Sequence, residues 1–384
     1  MKLMKNELQS LNHSTSIFFG VGELNKLSKR FSYSRVVLVT SPGFRKRGYV
    51  DLITKALGQK LVGVIDIVQN YPDLKMIDFQ KEELKKFKPD ALLALGGGSV
   101  IDFSKALSQS ILLPVDKSIK DIILKNVFID ESLTLPLIAV PTTSGTGSEV
   151  TPFATIWDFN DKIKYSLNSN QLLPRISILD PELTYDLPKD ITVSSGLDSV
   201  SHALESIWNV NANEKTIFLA TNSLKLSIPA LRSLSISLQN SDARRDMMEA
   251  SFLAGLAISK TKTALAHSIS YPLTANLGLP HGIACSFTLP TLLNFNNQVD
   301  NDELEKLAKN LNYANSLELS DDLQSLLNET GANYIFKNKI PNKESVFELI
   351  DEMINIERAN NNIRKFKLLD IKKIVEQSLK FIFH

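Results

Sequence analysis

Two of the chain's five histidines, His267 and His281, fall within one stretch, TALAHSISYPLTANLGLPHG, around a Pro-interrupted turn. Imidazole is both a proton carrier and a common metal ligand, so the question is what other donors could join them. GLDSVSHALESIW places Asp198 and His202 at positions i and i+4, which a helix presents on one face. Val200, Ala203, Leu204 and Ile207 form an adjacent apolar stripe, the pattern of a helix buried on that side. An Asp/His pair alone is also what a structural hydrogen bond inside a core helix looks like. Joined by His267 and His281, it becomes one carboxylate and three imidazoles, a set suited to a divalent first-row ion such as Fe or Zn.

Two further stretches carry chemistry of another kind. ALLALGGGSVIDFSKALS reads as a strand, a turn of Gly96, Gly97 and Gly98, and a helix capped by Ser99. Glycines let backbone approach a ligand closely, and the free amides of a helix start attract phosphate. The spacing is neither GxGxxG nor a Walker A loop, and a tight strand–helix turn is the competing reading. Three consecutive glycines exceed what a turn requires, so the loop is expected to hold a cofactor pyrophosphate. PTTSGTGSEVT follows a buried strand and offers hydroxyls at Thr142, Thr143, Ser144 and Thr146, with close approach at Gly145 and Gly147. Open parallel sheets bind ligands at such strand ends.

These groups need a scaffold. SRVVLVTS (34–41), LVGVIDIV (61–68), ALLALGGG (91–98) and LPLIAVPTT (135–143) read as buried strands, with helical patterns at 73–88 and 99–110 between them. Such alternation predicts βαβ units and a parallel sheet. FATIWDFNDKIKYSL (153–167) reads as a hairpin turning near Asn160 and Asp161. Beyond Ile191 the pattern is helical throughout, so a boundary is expected near DPELTYDLPKD (180–190), giving an α/β domain over 1–183 and a helical domain over 184–384. Lys+Arg 43 against Asp+Glu 42 gives no global field for nucleic acid or an anionic membrane. Cys285 is the only cysteine, which excludes an internal disulfide, fits a reducing compartment, and reads as a small core residue. The N-terminus lacks an apolar signal-peptide core and no apolar run approaches the ~20 residues that span a bilayer. A cytoplasmic protein is expected. Trp157 and Trp208 are expected to pack, and His13 and His384 are assigned no role.

The motifs TSIFFGVGELNKL, GGGSVIDFSKALS, PTTSGTGSEVT, GLDSVSHALES and AHSISYPLTANLGLPHG, in this order and spacing, resemble the iron-containing (group III) alcohol dehydrogenases over nearly the whole chain. The resemblance implies an N-terminal Rossmann-like dinucleotide-binding domain and an all-α C-terminal domain, the dehydroquinate synthase-like architecture, with cofactor and metal meeting between them. It implies Asp198, His202, His267 and His281 as the four metal ligands, Fe2+ first and Zn2+ second. It also implies Asn70, Gly97, Gly98, Ser99, Asp102, Thr142, Thr143, Thr146 and Lys164 as cofactor contacts, and a homodimer or higher homo-oligomer.

Three departures refine the expectation. Ser41 stands where many members carry an Asp for a ribose hydroxyl; without that carboxylate, and with Arg45 and Lys46 close by, NADPH is tolerated or preferred over NADH. Tyr271 replaces a histidine four residues after the third ligand, which removes an expected proton shuttle. Lys260 and Lys262 stand where the family has Asn and small residues, and together with Tyr271 they are the candidate substrate contacts. SKTKTALAHSISYPLT is most similar to the phosphonoacetaldehyde reductase branch. The expected reaction is metal-dependent, NAD(P)H-linked reduction of a small anionic aldehyde, phosphonoacetaldehyde first. Sulfoacetaldehyde, succinic semialdehyde or a neutral aldehyde are alternatives within the class. A dehydroquinate synthase-like lyase and a non-catalytic nucleotide- or metal-binding protein are alternatives outside it.

Overall fold

A computed structural model describes residues 13–69, 71–161, 163–299 and 302–383; the positions of Asn70 and His384 lie outside the described residues. The apolar runs become a six-stranded sheet of β1 (Ser16–Phe19), β2 (Val36–Val39), β3 (Leu61–Ile65), β4 (Ala91–Gly96), β5 (Leu137–Pro141) and β8 (Ile176–Leu179). Their order is β1-β8-β5-β4-β2-β3, and every pairing is parallel. β6 (Phe153–Asp158) and β7 (Ile163–Asn168) form the antiparallel hairpin. β8, ISIL, is a strand that the sequence reading did not single out; polar Ser177 breaks its apolar run, and Pro174 and Pro181 flank it.

Burial on both faces explains why these strands read as continuous apolar runs. Val37, Val39, Leu92, Ala94, Leu137 and Ala139 enter one core. Their alternating neighbours Val36, Leu38, Ala91, Leu93, Leu95, Ile138 and Val140 enter a second core on the other side. α1 (Leu74–Phe87) packs in the first of these; the Asp73 carboxylate caps it by accepting from Met76 N at 2.9 Å. α2 (Gly98–Ser110) follows β4 directly. One expectation is corrected here: Gly97, not Ser99, is the cap residue of α2, and Ser99 sits in its first turn. Gly97 takes the extended conformation and makes no side-chain cap bond. The glycine before it is required by crowding, since a Cβ on Gly96 would lie 2.4 Å from Val100 Cγ2.

The chain divides into two compact units. One runs to Thr143 and resumes at Ser148–Thr184; the other combines Ser144–Gly147 with everything from Tyr185 onward. The second unit is built on α3 (Lys189–Ile207), α4 (Glu214–Ile236), α5 (Ser241–Thr261), α6 (Leu265–Leu277) and α7 (His281–Ser286). Asn213 caps α4 through a reciprocal pair with Thr216, and Asn240 caps α5 through Ala243 N. α6 is followed by Gly278, whose φ of 64° is the left-handed conformation that favours glycine. Among the described residues no helix is long and apolar enough to cross a membrane.

Candidate metal centre and cofactor loops

α3 carries Asp198 and His202 one turn apart, and His202 Nε2 lies 3.6 Å from Asp198 Oδ1. From α6, His267 brings its Nε2 to 3.4 Å from the same oxygen. The His202 and His267 rings stack at 4.7 Å and 13°. His281, the first residue of α7, meets His267 edge-on at 5.3 Å. The four side chains expected to ligate a metal are thus brought into one cluster. Asp198, His202 and His267 are buried, and His281 is half-buried.

Close backbone contact fixes this arrangement. A Cβ on Gly282 would fall 1.8 Å from Ser194 O and 3.1 Å from Asp198 Cβ, so α7 can lie against α3 only with glycine there. A Cβ on Gly145 would fall 2.5 Å from Ser195 O. The same Gly145 accepts from His202 Nδ1 at 3.2 Å.

Each imidazole tautomer follows from its outer partner. Gly145 O can only accept, so His202 Nδ1 carries a proton and Nε2 a lone pair. Glu205 Oε2 accepts from His267 Nδ1 at 2.6 Å, which leaves His267 Nε2 a lone pair as well. Glu205 also accepts from Ala264 N at 3.0 Å, Ala266 N at 2.6 Å and His267 N at 3.2 Å. It therefore serves the N-terminus of α6, which has no side-chain cap of its own, and favours negative charge there. Burial alone would raise the Glu205 carboxyl; His267 and these amides outweigh it and hold it below the usual range. Burial opposes ionisation of Asp198 too, and positive charge on the neighbouring imidazoles, when they hold protons, overcomes it strongly. For His202 burial wins and lowers its proton affinity, with Asp198 resisting.

The decisive feature for a metal is that Asp198 Oδ1 and His267 Nε2 are buried and make no hydrogen bond. An unmet buried lone pair is costly, and two of them 3.4 Å apart are what a cation repays. A carboxylate–histidine pair behind the ligand is the usual support for a metal-bound imidazole. The residues fit a divalent ion.

In the first unit, Gly97 lies against Thr143; a Cβ there would be 3.2 Å from Thr143 Oγ1. Thr142 N donates to Gly96 O at 3.1 Å, tying the two loops together where β4 and β5 end. Asp102 accepts from Ser148 Oγ, and from Thr155 N at 2.8 Å, so it braces the hydroxyl loop. Lys164 on β7 lies over the Trp157 ring at 5.8 Å. Ser41 stands just beyond β2, ahead of a short helix starting at Pro42. Arg45 pairs with Asp66 at the end of β3. Thr146 belongs with the second unit.

The family model for iron-containing alcohol dehydrogenase matches residues 14–181, and the C-terminal model of the same family matches 192–379. The chain belongs to the iron-containing alcohol dehydrogenase family. It is 33% identical to an aldehyde-alcohol dehydrogenase of Entamoeba histolytica over 77% of its own length, yet spans only about a third (35%) of that relative. It is 31% identical to the NADPH-dependent butanol dehydrogenase of Clostridium saccharobutylicum, over 82% of this chain and 81% of that one. To the phosphonoacetaldehyde reductase of Streptomyces viridochromogenes it is 32% identical, over 69% and 68%. Among solved structures, sulfoacetaldehyde reductase from Bifidobacterium kashiwanohense in complex with NAD+ superposes with a TM-score of 0.89 at 28% identity, covering 95% of this chain and 97% of that one.

Within this member of the family, Tyr271 lies on α6 with its ring nearly parallel to that of His281, at 6.3 Å and 18°. Lys260 and Lys262 are both exposed, at the end of α5 and just past it. Lys262 holds a φ of 62°, and its carbonyl accepts from Asn209 Nδ2 and Thr261 Oγ1. Three functional groups escaped the sequence reading. Glu205 was visible as a carboxylate three residues after His202 and seven after Asp198, on the same helical face. The carbonyl of Gly145 carries no side-chain signal. Cys285, read as a core residue, is indeed fully buried, but its Sγ joins the metal cluster: Asp198, His267, His281 and Cys285 each place a donor atom within 4.8 Å of the others.

Proposed function

We propose that this protein reduces a small aldehyde with an anionic head group to the primary alcohol, reversibly, with phosphonoacetaldehyde and 2-hydroxyethylphosphonate as the foremost pair. The observation that carries the reading is the nest of buried, unbonded lone pairs around Asp198 and His267, in a chain of this family. When bound there, a divalent ion (Fe2+ first, Zn2+ second) supplies Lewis-acid polarisation of a carbonyl oxygen, and the reduced nicotinamide supplies hydride. The chain's own part is positional and electrostatic. Asp198 contributes negative charge that favours a cation in the nest, while Glu205 and the Gly145 carbonyl hold two imidazoles in the ligating tautomer. Gly97, Gly98 and Ser99 offer the first amides of α2 to a pyrophosphate. Thr142, Thr143, Thr146, Asp102, Lys164 and Asn70 complete the proposed cofactor set.

Support for the anionic head group comes from two similar proteins whose names share an acetaldehyde skeleton with a tetrahedral oxyanion. Lys260 and Lys262 are the proposed cations for it, with Tyr271 beside His281 as the polar neighbour. Lysine binds such groups as a point charge without demanding planar geometry. A cytoplasmic homodimer or higher homo-oligomer belongs to the same reading.

The test is oxidation of reduced nicotinamide by the metal-loaded full chain with phosphonoacetaldehyde, sulfoacetaldehyde, succinic semialdehyde and butanal. A charge-assisted contact of roughly 1.5–3 kcal/mol should give the phosphonate about one to two decades in kcat/KM over butanal. An advantage for butanal would overturn the head-group assignment. Failure of every aldehyde with metal bound would overturn the reductase reading. For the cofactor, Ser41→Asp should weaken NADPH more than NADH, because a carboxylate repels a 2′-phosphate. Arg45 already holds Asp66, so it must exchange partners to pair with that phosphate. An unchanged NADPH/NADH ratio in the variant would place Ser41 away from the adenine ribose.

A further inference from the structure

The geometry points to Cys285 as a sulfur donor to the metal centre, making the donor set imidazole, carboxylate and thiolate together. The inference rests on the reading of the cluster as a metal centre and adds a ligand to it. Cys285 Sγ, an Asp198 oxygen and one nitrogen each of His267 and His281 all lie within 4.8 Å of one another. Donors arranged tetrahedrally around one zinc ion at about 2.1 and 2.3 Å are roughly 3.5 Å apart. The cluster therefore closes around an ion if each donor moves inward by less than about 1 Å.

The local sequence explains why sulfur arrives there. Cys285 follows His281 by four residues on α7, so both side chains leave the same face of one helix. Sγ lies 3.6 and 3.7 Å from the two ring nitrogens of His281. Sγ also donates to Ser270 Oγ at 3.3 Å. A cysteine kept only for its volume would have no need of such polar neighbours.

An independent observation indicates that the space bordered by Sγ is meant for a ligand. Asp198 Oδ1 and His267 Nε2, on residues that are each 3% exposed, point there without a hydrogen bond. The Nε2 lone pair is fixed in place because Nδ1 is committed to Glu205. His202 stands at the edge of the same group through its 3.6 Å approach to Asp198, so five donors border the site. Ligation breaks the S–H bond, leaves the electron pair on sulfur for the ion, and releases the proton to solvent. A thiolate in place of a neutral or oxygen donor favours zinc, cobalt or iron over manganese or magnesium.

Zinc-edge X-ray absorption of the full chain loaded with one equivalent of Zn2+ tests this. The expected spectrum contains a sulfur shell at about 2.3 Å beside nitrogen and oxygen at about 2.0–2.1 Å. In Cys285→Ser the sulfur shell should vanish. Its zinc affinity should fall by about 10–100-fold or more, the loss seen even for an outer-shell partner, with a smaller loss for Mn2+. A wild-type spectrum with only nitrogen and oxygen neighbours overturns the proposal, whether or not the variant folds. Equal losses for both metals would make Cys285 a packing residue. A wild-type protein that takes up no zinc would overturn the metal centre itself, a result distinct from zinc bound without sulfur.

Discussion

A single carboxylate, Glu205, decides which nitrogen of His267 holds the proton, and so whether Nε2 offers its lone pair to the proposed metal. Replacing it by Gln keeps the size and one acceptor but presents an NH2 group where Oε2 stood. His267 Nδ1 would then have to accept, its proton would move to Nε2, and that proton would point at the ion. Glu205→Gln should lower metal affinity by roughly 10–100-fold, read by chelator competition; an unchanged affinity would mean that His267 Nε2 is not a ligand. The proposed ligand set of Asp198, His202, His267 and His281 was legible because the chain has only five histidines, and three of them fall in motifs beside or downstream of Asp198. Glu205 lay inside a quoted stretch and Cys285 three residues beyond another, but a carboxylate and a thiol among apolar neighbours look alike whether they face solvent, core or ligand. Another buried residue in the first unit gives a pH signature. Burial pushes Glu149 up from 4.5 to about 7, and burial pushes Lys105 down to about 8. Glu149 binds its proton more tightly folded than unfolded, so its contribution is present below pH 4.5 and lost as pH rises through 7. Glu149→Gln should therefore gain on wild type by up to about 3 kcal/mol between about pH 5 and about pH 8. Thermal unfolding at those two pH values checks it, and a constant difference would rule it out.

At the scale of elements, the strand runs were readable because parallel strands are buried on both faces, and β8 was not because Ser177 interrupts its apolar run between Pro174 and Pro181. The junction of α3 and α7 was invisible in advance, since nothing in HGIACS says that Gly282 touches the backbone at Ser194. Gly282→Ala should force α7 off α3, costing about 1–3 kcal/mol as overpacking does, and carry His281 away from Asp198. Loss of bound metal with helical content retained is the expected result. Gly278→Ala is the control: its φ of 64° strains the backbone, but nothing lies within 4 Å of the added methyl. It should cost about 1–2 kcal/mol and leave metal content alone. If the two variants lose metal equally, the α3–α7 contact is not what places His281.

For the whole molecule, the two-part organisation follows from where strand patterning stops, and the sequence boundary near residues 180–190 lies beside the observed change at Tyr185. What no local pattern could reveal is that the chain visits the second unit early, for the four residues Ser144–Gly147. That visit means the ligand cluster cannot be inherited whole by the C-terminal half of the polypeptide. A fragment beginning at Tyr185 keeps Asp198, His202, His267 and His281 but lacks the Gly145 carbonyl that orients His202. Expressed alone, it should bind metal more weakly than the full chain, and supplying the missing half as a separate polypeptide should restore the affinity. Equal affinity for fragment and full chain would show His202 to be oriented without help. Such dependence makes the early strap a hidden suture: a gene split or fused at the apparent domain boundary leaves each half incomplete, so the halves of this protein are bound to travel together.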